Sequence, residues 1–241
     1  MNDYDAALEK YMPFLLEIRK RLFFTFSLFV IASIVGFIYA DKIVSTLLSL
    51  FRLNGVNVVF TSPFQFINLS FSVAFLVGVI IIFPLIIVQA LSFLKPALSK
   101  NEFRAALYLL PISIGLFAGG ALFGFLVTKY MVTLFYSQSL KFNVGNLLDI
   151  SSLLAQLLTI SILMGVAFQF PIVITVLLRL KIIKHEALVK KRLWFYAGAL
   201  VFAGLLPPAD IPSTVIYFLA LALLYEITLI LNKVIFGEKY K

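Results

Sequence analysis

The sequence predicts an all-α, polytopic membrane protein, with six spanning helices in one integral membrane domain over residues 1–241. Three observations predict it. Of the 241 residues, 62% are hydrophobic and 13% charged, whereas a soluble chain is about 45–50% apolar and about 25% charged. Apolar runs near the roughly 20 residues that cross about 30 Å of hydrocarbon recur along the chain. Sixteen of the 20 Lys and Arg residues gather beside the run ends that share one membrane face. That asymmetry makes the basic face cytoplasmic and places both termini there.

The elements follow in order. Leu15, Ile18 and Leu22 recur at helical spacing and predict a short amphipathic helix before the first span, with Pro13 near its start. Asp3, Asp5 and Glu9 precede the basic cluster, and no small-residue cleavage site follows the first span, so this segment reads as retained and cytoplasmic. The spans are Leu22–Ala40, Ile67–Leu94, Ala105–Tyr136, Leu153–Leu180, Leu193–Leu206 and Ser213–Ile235. Outer loops at Asp41–Phe66 and Ser137–Ser152 are polar enough for surface helices or turns. Inner loops fall at Lys95–Arg104 and Lys181–Arg192. Pro84, Pro111 and Pro171 interrupt their spans, each freeing a carbonyl and favouring a kink. Gly115/Gly119 and Gly120/Gly124 form small-xxx-small pairs, for which packing within the chain is expected. The fifth span, of about 14 residues and about 21 Å, is too short for the hydrocarbon. Lys190–Arg192 extend it as helix and snorkel, or the bilayer is thin there, or, as the favoured reading, it is a short helix held by its neighbours.

Composition also excludes chemistry. There is no cysteine and one histidine, His185. No H-E-x-x-H, G-x-S-x-G or phosphate-binding glycine loop is present. An enzyme is not expected, nor a metal or cofactor. The net charge of +9 reads as topology and lipid contact, not as a nucleic-acid footprint.

The informative residues are polar ones out of place. Glu17 and Glu102 are acids in the basic rim. They are either neutralised by their own neighbours or receive an external cation. Gln169, between Phe168 and Phe170, needs hydrogen-bond partners inside the membrane, and the carbonyl freed by Pro171 is one candidate. Gln89 and Glu226 lie in the cytoplasmic halves of their spans, and Glu226 is costly unless paired or wet. Asp210, at the outer turn, is placed to cap the sixth helix.

Read together, these segments resemble the TatC family, the multispanning core of the twin-arginine protein translocase. Phe14-Leu15-Leu16-Glu17-Ile18-Arg19-Lys20-Arg21-Leu22 is similar to the family's His-Leu-x-Glu-Leu-Arg-x-Arg-Leu opening. Thr61-Ser62-Pro63-Phe64-Gln65-Phe66 matches its first outer loop. Pro84, Gln89, Phe93, Pro96-Ala97-Leu98, Glu102 and Arg104 match its second span and inner loop. Gly165-Val166-Ala167-Phe168-Gln169-Phe170-Pro171, Pro207-Pro208-Ala209-Asp210 and Leu224-Tyr225-Glu226 complete the order. Three departures from the family pattern stand out: Phe14 replaces its histidine, Gln169 replaces its intramembrane glutamate, and an insertion loosens the match of Asp210 to Pro-Pro-Asp, with Thr214 in place of the glutamine that usually follows.

The resemblance implies a bent, glove-shaped fold with short fifth and sixth helices. It implies a receptor for twin-arginine signal peptides in the cytoplasmic (inner) membrane, exporting folded proteins at the expense of the proton gradient. Glu17 and Glu102 would receive the arginine pair, with Arg19, Phe93 and Pro96 in the same site. Gln169, Gln89, Asp210 and Glu226 would serve contacts with small single-span subunits of the TatA/TatB type in an oligomeric complex. A secondary transporter or a passive assembly scaffold is the alternative. The transporter needs a polar path, for which Gln169, Gln156 and Lys129 are sparse material.

Overall fold

The computed structural model describes residues 3–51, 57–59, 62, 64–94, 103, 107–141 and 147–236. Five helical stretches are long and apolar enough to cross a membrane: Leu15–Ile38, Gln65–Phe93, Leu109–Ser139, Ile150–Arg179 and Ile211–Val234. The fifth expected span, Leu193–Leu206, corresponds to the shorter, 14-residue apolar helix Arg192–Leu205.

The first span and the segment before it form one helix, α1 (Asp3–Ile38). No separate amphipathic helix precedes the span, and Pro13 falls within α1 rather than near its start. The expected stripe is not buried in protein either, for Leu15, Ile18 and Leu22 are all exposed. Helix α2 (Ala40–Phe51) fills the start of the outer loop, and α3 (Gln65–Leu94) runs without interruption through Pro84. Helix α4 (Leu109–Lys141) carries Pro111 in its first turn. There the missing N–H has no intrahelical partner to lose, so Pro111 does not act as a mid-span break.

The fourth span is divided into α5 (Ile150–Ala167) and α6 (Phe170–Arg179), with Pro171 in the first turn of α6. Phe168 and Gln169 make the joint. A six-residue helix α7 (His185–Lys190) precedes α8 (Arg192–Leu205), and Lys191 separates them. Basic residues therefore do not extend α8 as one helix, and its shortfall in length stands.

The last helix, α9 (Ile211–Phe236), has 26 residues. The short sixth helix implied by the resemblance is thus not found. The run from Ile211 is apolar and meets no glycine, and its one proline, Pro212, stands in the first turn where it is tolerated.

The helices pack as α1 on α3, α3 on α5, α5 on α4, and α9 on α8, α6 and α4. One core joins Ala40 and Val44 of α2, Leu69 and Val73 of α3, and Leu154 and Leu157 of α5. A second joins Met131, Ile160, Met164, Ala203 and Tyr217 from α4, α5, α8 and α9. Elsewhere large side chains such as Phe23, Leu122, Trp194 and Leu223 stand exposed, a surface suited to hydrocarbon and not to water.

The two glycine pairs separate cleanly. A Cβ at Gly120 would stand 2.6 Å from the Met164 carbonyl oxygen, and one at Gly124 would stand 3.0 Å from that of Ile160. These two let α4 and α5 approach backbone to backbone. Gly115 and Gly119 face open space, so packing within the chain explains only one of the pairs.

Two short strands lie in the outer loops, an addition to the all-α expectation. Strand β1 (Asn57–Val59) pairs in parallel with β2 (Leu147–Asp149), Asn57 opposite Leu147 and Val59 opposite Asp149. Asp149 reinforces the junction. It caps α5 through the Ser151 N–H at 2.9 Å and accepts from Gln65 Nε2 at 2.8 Å.

Candidate functional site

Helices α1 and α3 run antiparallel, which brings the start of the first span beside the end of the second. Four turns of sequence logic meet at this corner. Glu17 and Arg21 are one helical turn apart, so their side chains share a face of α1. The Arg21 guanidinium donates to Glu17 Oε1. Its other terminal nitrogen, Nη1, donates to the backbone carbonyl of Gln89 on α3, at 2.5 Å. The same cation lies 5.8 Å from the ring centroid of Phe93, within cation–π range.

One turn deeper, Thr25 Oγ1 lies 2.9 Å from both the Arg21 carbonyl and Gln89 Oε1. The side chain of Glu17 is 48% exposed and that of Arg21 25% exposed, so the cluster sits at a rim. Below it an apolar groove of about 700 Å³ continues between the two helices, walled by Leu22, Phe26, Phe29, Val79, Ile82 and Ile86.

Three predicted residues, Glu17, Gln89 and Phe93, therefore converge. Gln89 belongs with this cluster and not with the intramembrane partner residues among which the sequence placed it. Its own carbonyl binds a side chain of the rim. Arg19 is exposed on the same helix. Glu102 and Pro96 lie outside the described residues. Arg21, the residue that joins the cluster, was not singled out by the sequence, although its i+4 spacing from Glu17 was visible there.

Gln169 sits apart, at the α5–α6 joint. Its Nε2 donates to the Ser113 carbonyl at 3.2 Å and the Gly165 carbonyl at 3.3 Å. Ser113 Oγ donates to Gln169 Oε1. The amide is thus satisfied by α4 and by the last turn of α5. Its carbonyl partners are those of Ser113 and Gly165, not the one expected to be freed by Pro171.

Glu226 on α9 faces α8, where Tyr196 Oη donates to its Oε1 at 2.5 Å and Arg192 Nη2 lies 3.4 Å from its Oε2. The acid is paired, as its cost in the membrane requires. Beside it Phe195 and Tyr225 stack at 4.0 Å, and Tyr225 Oη donates to the Leu188 carbonyl at 2.9 Å. Asp210 Oδ1 accepts from the Ser213 N–H at 2.8 Å, which caps α9 as the sequence expected. The four intramembrane candidates thus do not form one site; each fastens a different junction.

Among the described residues no group of three or more His, Cys, Asp or Glu side chains is placed to hold a metal ion. The rim cluster brings together a carboxylate, a backbone carbonyl and an aromatic face around the Arg21 guanidinium.

The chain as a whole is similar to known proteins of one family. The family model described as Sec-independent protein translocase protein (TatC) matches residues 13–219. The Bacillus subtilis (strain 168) protein TatCy is 31% identical, with 93% of this chain and 89% of that protein covered. The TatC protein of Rickettsia prowazekii (strain Madrid E) is 34% identical, with 93% and 92% covered. A crystal structure of the twin-arginine translocase receptor TatC in DDM superposes with a TM-score of 0.78 at 32% identity, with 91% of this chain and 99% of that one covered.

Proposed function

The chain belongs to the TatC family of Sec-independent protein translocase proteins, and from that premise we propose that it receives twin-arginine signal peptides at its basic end. It is a multi-pass membrane protein and a transport component. In our reading the basic end faces the cytoplasm of the cell membrane, because sixteen of 20 cationic residues mark that side. The observation that carries the reading is the Glu17 carboxylate held at the rim with the Gln89 carbonyl and the Phe93 ring beside it.

The mechanism follows from the geometry. A signal peptide of this class presents two guanidinium planes followed by an apolar stretch. A carboxylate takes such a plane bidentately, which an ammonium cannot reproduce. Glu17 takes one arginine, and Glu102, matched by the resemblance, takes the other. The apolar stretch then enters the groove below Phe93, where Leu22, Phe26 and Ile86 replace water around it. Arg19 stands exposed on the same helix as Glu17, and Pro96 is assigned to this site by the resemblance alone. Gln169 acts through the α5–α6 joint that it holds, and this joint orders the face used by small single-span subunits.

Export of a twin-arginine precursor in cells tests the reading. Glu17→Gln and Glu102→Ala each abolish export while the protein remains inserted at normal levels. Normal export in both variants contradicts the assignment.

A further inference from the structure

The rim cluster already holds a guanidinium. Arg21 meets Glu17 with one nitrogen and the Gln89 carbonyl with another, and its Cζ lies over the Phe93 ring, 5.8 Å from the centroid. These are the contacts that any arginine arriving at this corner would itself make: a carboxylate for the charge, a carbonyl for a second N–H, and a ring for the π surface. We infer that Arg21 is the resident occupant of a guanidinium subsite formed by Glu17, the Gln89 carbonyl and the Phe93 ring, and that one arginine of a signal peptide enters it by displacing Arg21. The inference rests on the reading above, that Glu17 receives a signal arginine, and adds the remainder of the subsite and its competitor.

Three features suit an exchange. The pair is at the rim, with Arg21 25% and Glu17 48% exposed, so the two can part without leaving a buried charge unpaired. An exposed i,i+4 pair is also weak enough to be replaced. The rest of the subsite does not depend on Arg21, because the Gln89 carbonyl and the Phe93 ring both belong to the continuous helix α3. Finally, the groove opens directly beside Arg21 and gives its aliphatic stem apolar walls to lie on when the head is displaced. Arg21 thereby sets a threshold. A lysine, a compact charge without a planar fork, gains less from the carbonyl and the ring than the guanidinium it must displace.

The test is the affinity of fluorescent signal peptides for the full chain in lipid nanodiscs, read by anisotropy with an Arg-Arg and a Lys-Lys peptide. Arg21→Ala is expected to tighten the Arg-Arg peptide about threefold and to leave the Lys-Lys peptide behind. Arg21→Lys, which keeps the charge and guards against a folding defect, tightens it less. Phe93→Leu weakens Arg-Arg binding more in the Arg21→Ala background than in the parent, because the ring then serves the peptide. Unchanged or weaker Arg-Arg binding in both Arg21 variants overturns the inference and makes Arg21 a brace between α1 and α3. Glu17→Gln separates the two levels. If it abolishes binding while the Arg21 variants fail to tighten it, only this inference falls. If Glu17→Gln leaves binding intact, the receptor assignment of Glu17 falls as well.

Discussion

An exposed carboxylate gains only about 0–1 kcal/mol from one neighbouring cation, so Glu17 at the rim contributes little to holding the fold. In the role proposed for it, its use lies in what it offers to a signal-peptide arginine. Gln169 is in the opposite regime, an amide inside the membrane with three hydrogen bonds to Ser113 and Gly165. Gln169→Leu removes all three and strands Ser113. The two bonds to Ser113 are interhelical, and such bonds average about 0.6 kcal/mol in membranes, with a maximum of about 1.7, so the variant should lose about 1–2 kcal/mol of stability, seen as a lower unfolding midpoint in detergent. It should also co-purify with less of its single-span partners while binding signal peptide normally; an unchanged midpoint counts against the role given to the joint. Both residues were legible in the sequence because a polar type stood out against its neighbours. Arg21 was not, since Arg19, Lys20 and Arg21 crowd one segment and a backbone carbonyl such as that of Gln89 carries no residue signature.

The elements show where periodicity suffices and where it fails. Long apolar runs located the five helices long enough to cross a membrane and the shorter helix Arg192–Leu205. Their ends and breaks depended on local chemistry: Pro111 in a first turn, Lys191 between α7 and α8, and the joint at Phe168-Gln169. The glycine pairs were identical as sequence patterns, yet only contact geometry distinguishes them. Gly120→Ala would drive a Cβ to within 2.6 Å of the Met164 carbonyl oxygen, and overpacking of this sort costs about 1–3 kcal/mol. Gly119→Ala meets open space and should change stability by less than about 0.5 kcal/mol. Thermal melts of the two variants in one detergent decide it. Equal loss in both would contradict the α4–α5 close approach.

At the scale of the whole molecule, charge assigns each loop an expected side, but the strand pairing between the loops after the first and third spans was not legible in the sequence. Strands of three residues have no usable period, and β1 and β2 lie far apart in sequence. Orientation is open to direct test, because the chain has no cysteine and each engineered one reports alone. Lys190→Cys should react with a membrane-impermeant maleimide only from the cytoplasmic side, and Ser139→Cys only from the outer side. The reverse pattern would invert the topology and remove Glu17 from the face that a cytoplasmic precursor meets.

The central claim is that the rim around Glu17 selects paired arginines. Its most direct measurement is crosslinking of a twin-arginine signal peptide, with a photoreactive group beside the pair, to the membrane-embedded protein. A twin-lysine peptide and the Glu17→Gln and Glu102→Ala variants are run alongside. The account predicts crosslinks that require the arginines and are lost in each variant. Equal crosslinking of both peptides, or crosslinks that persist without these acids, would mean apolar capture alone and would contradict it.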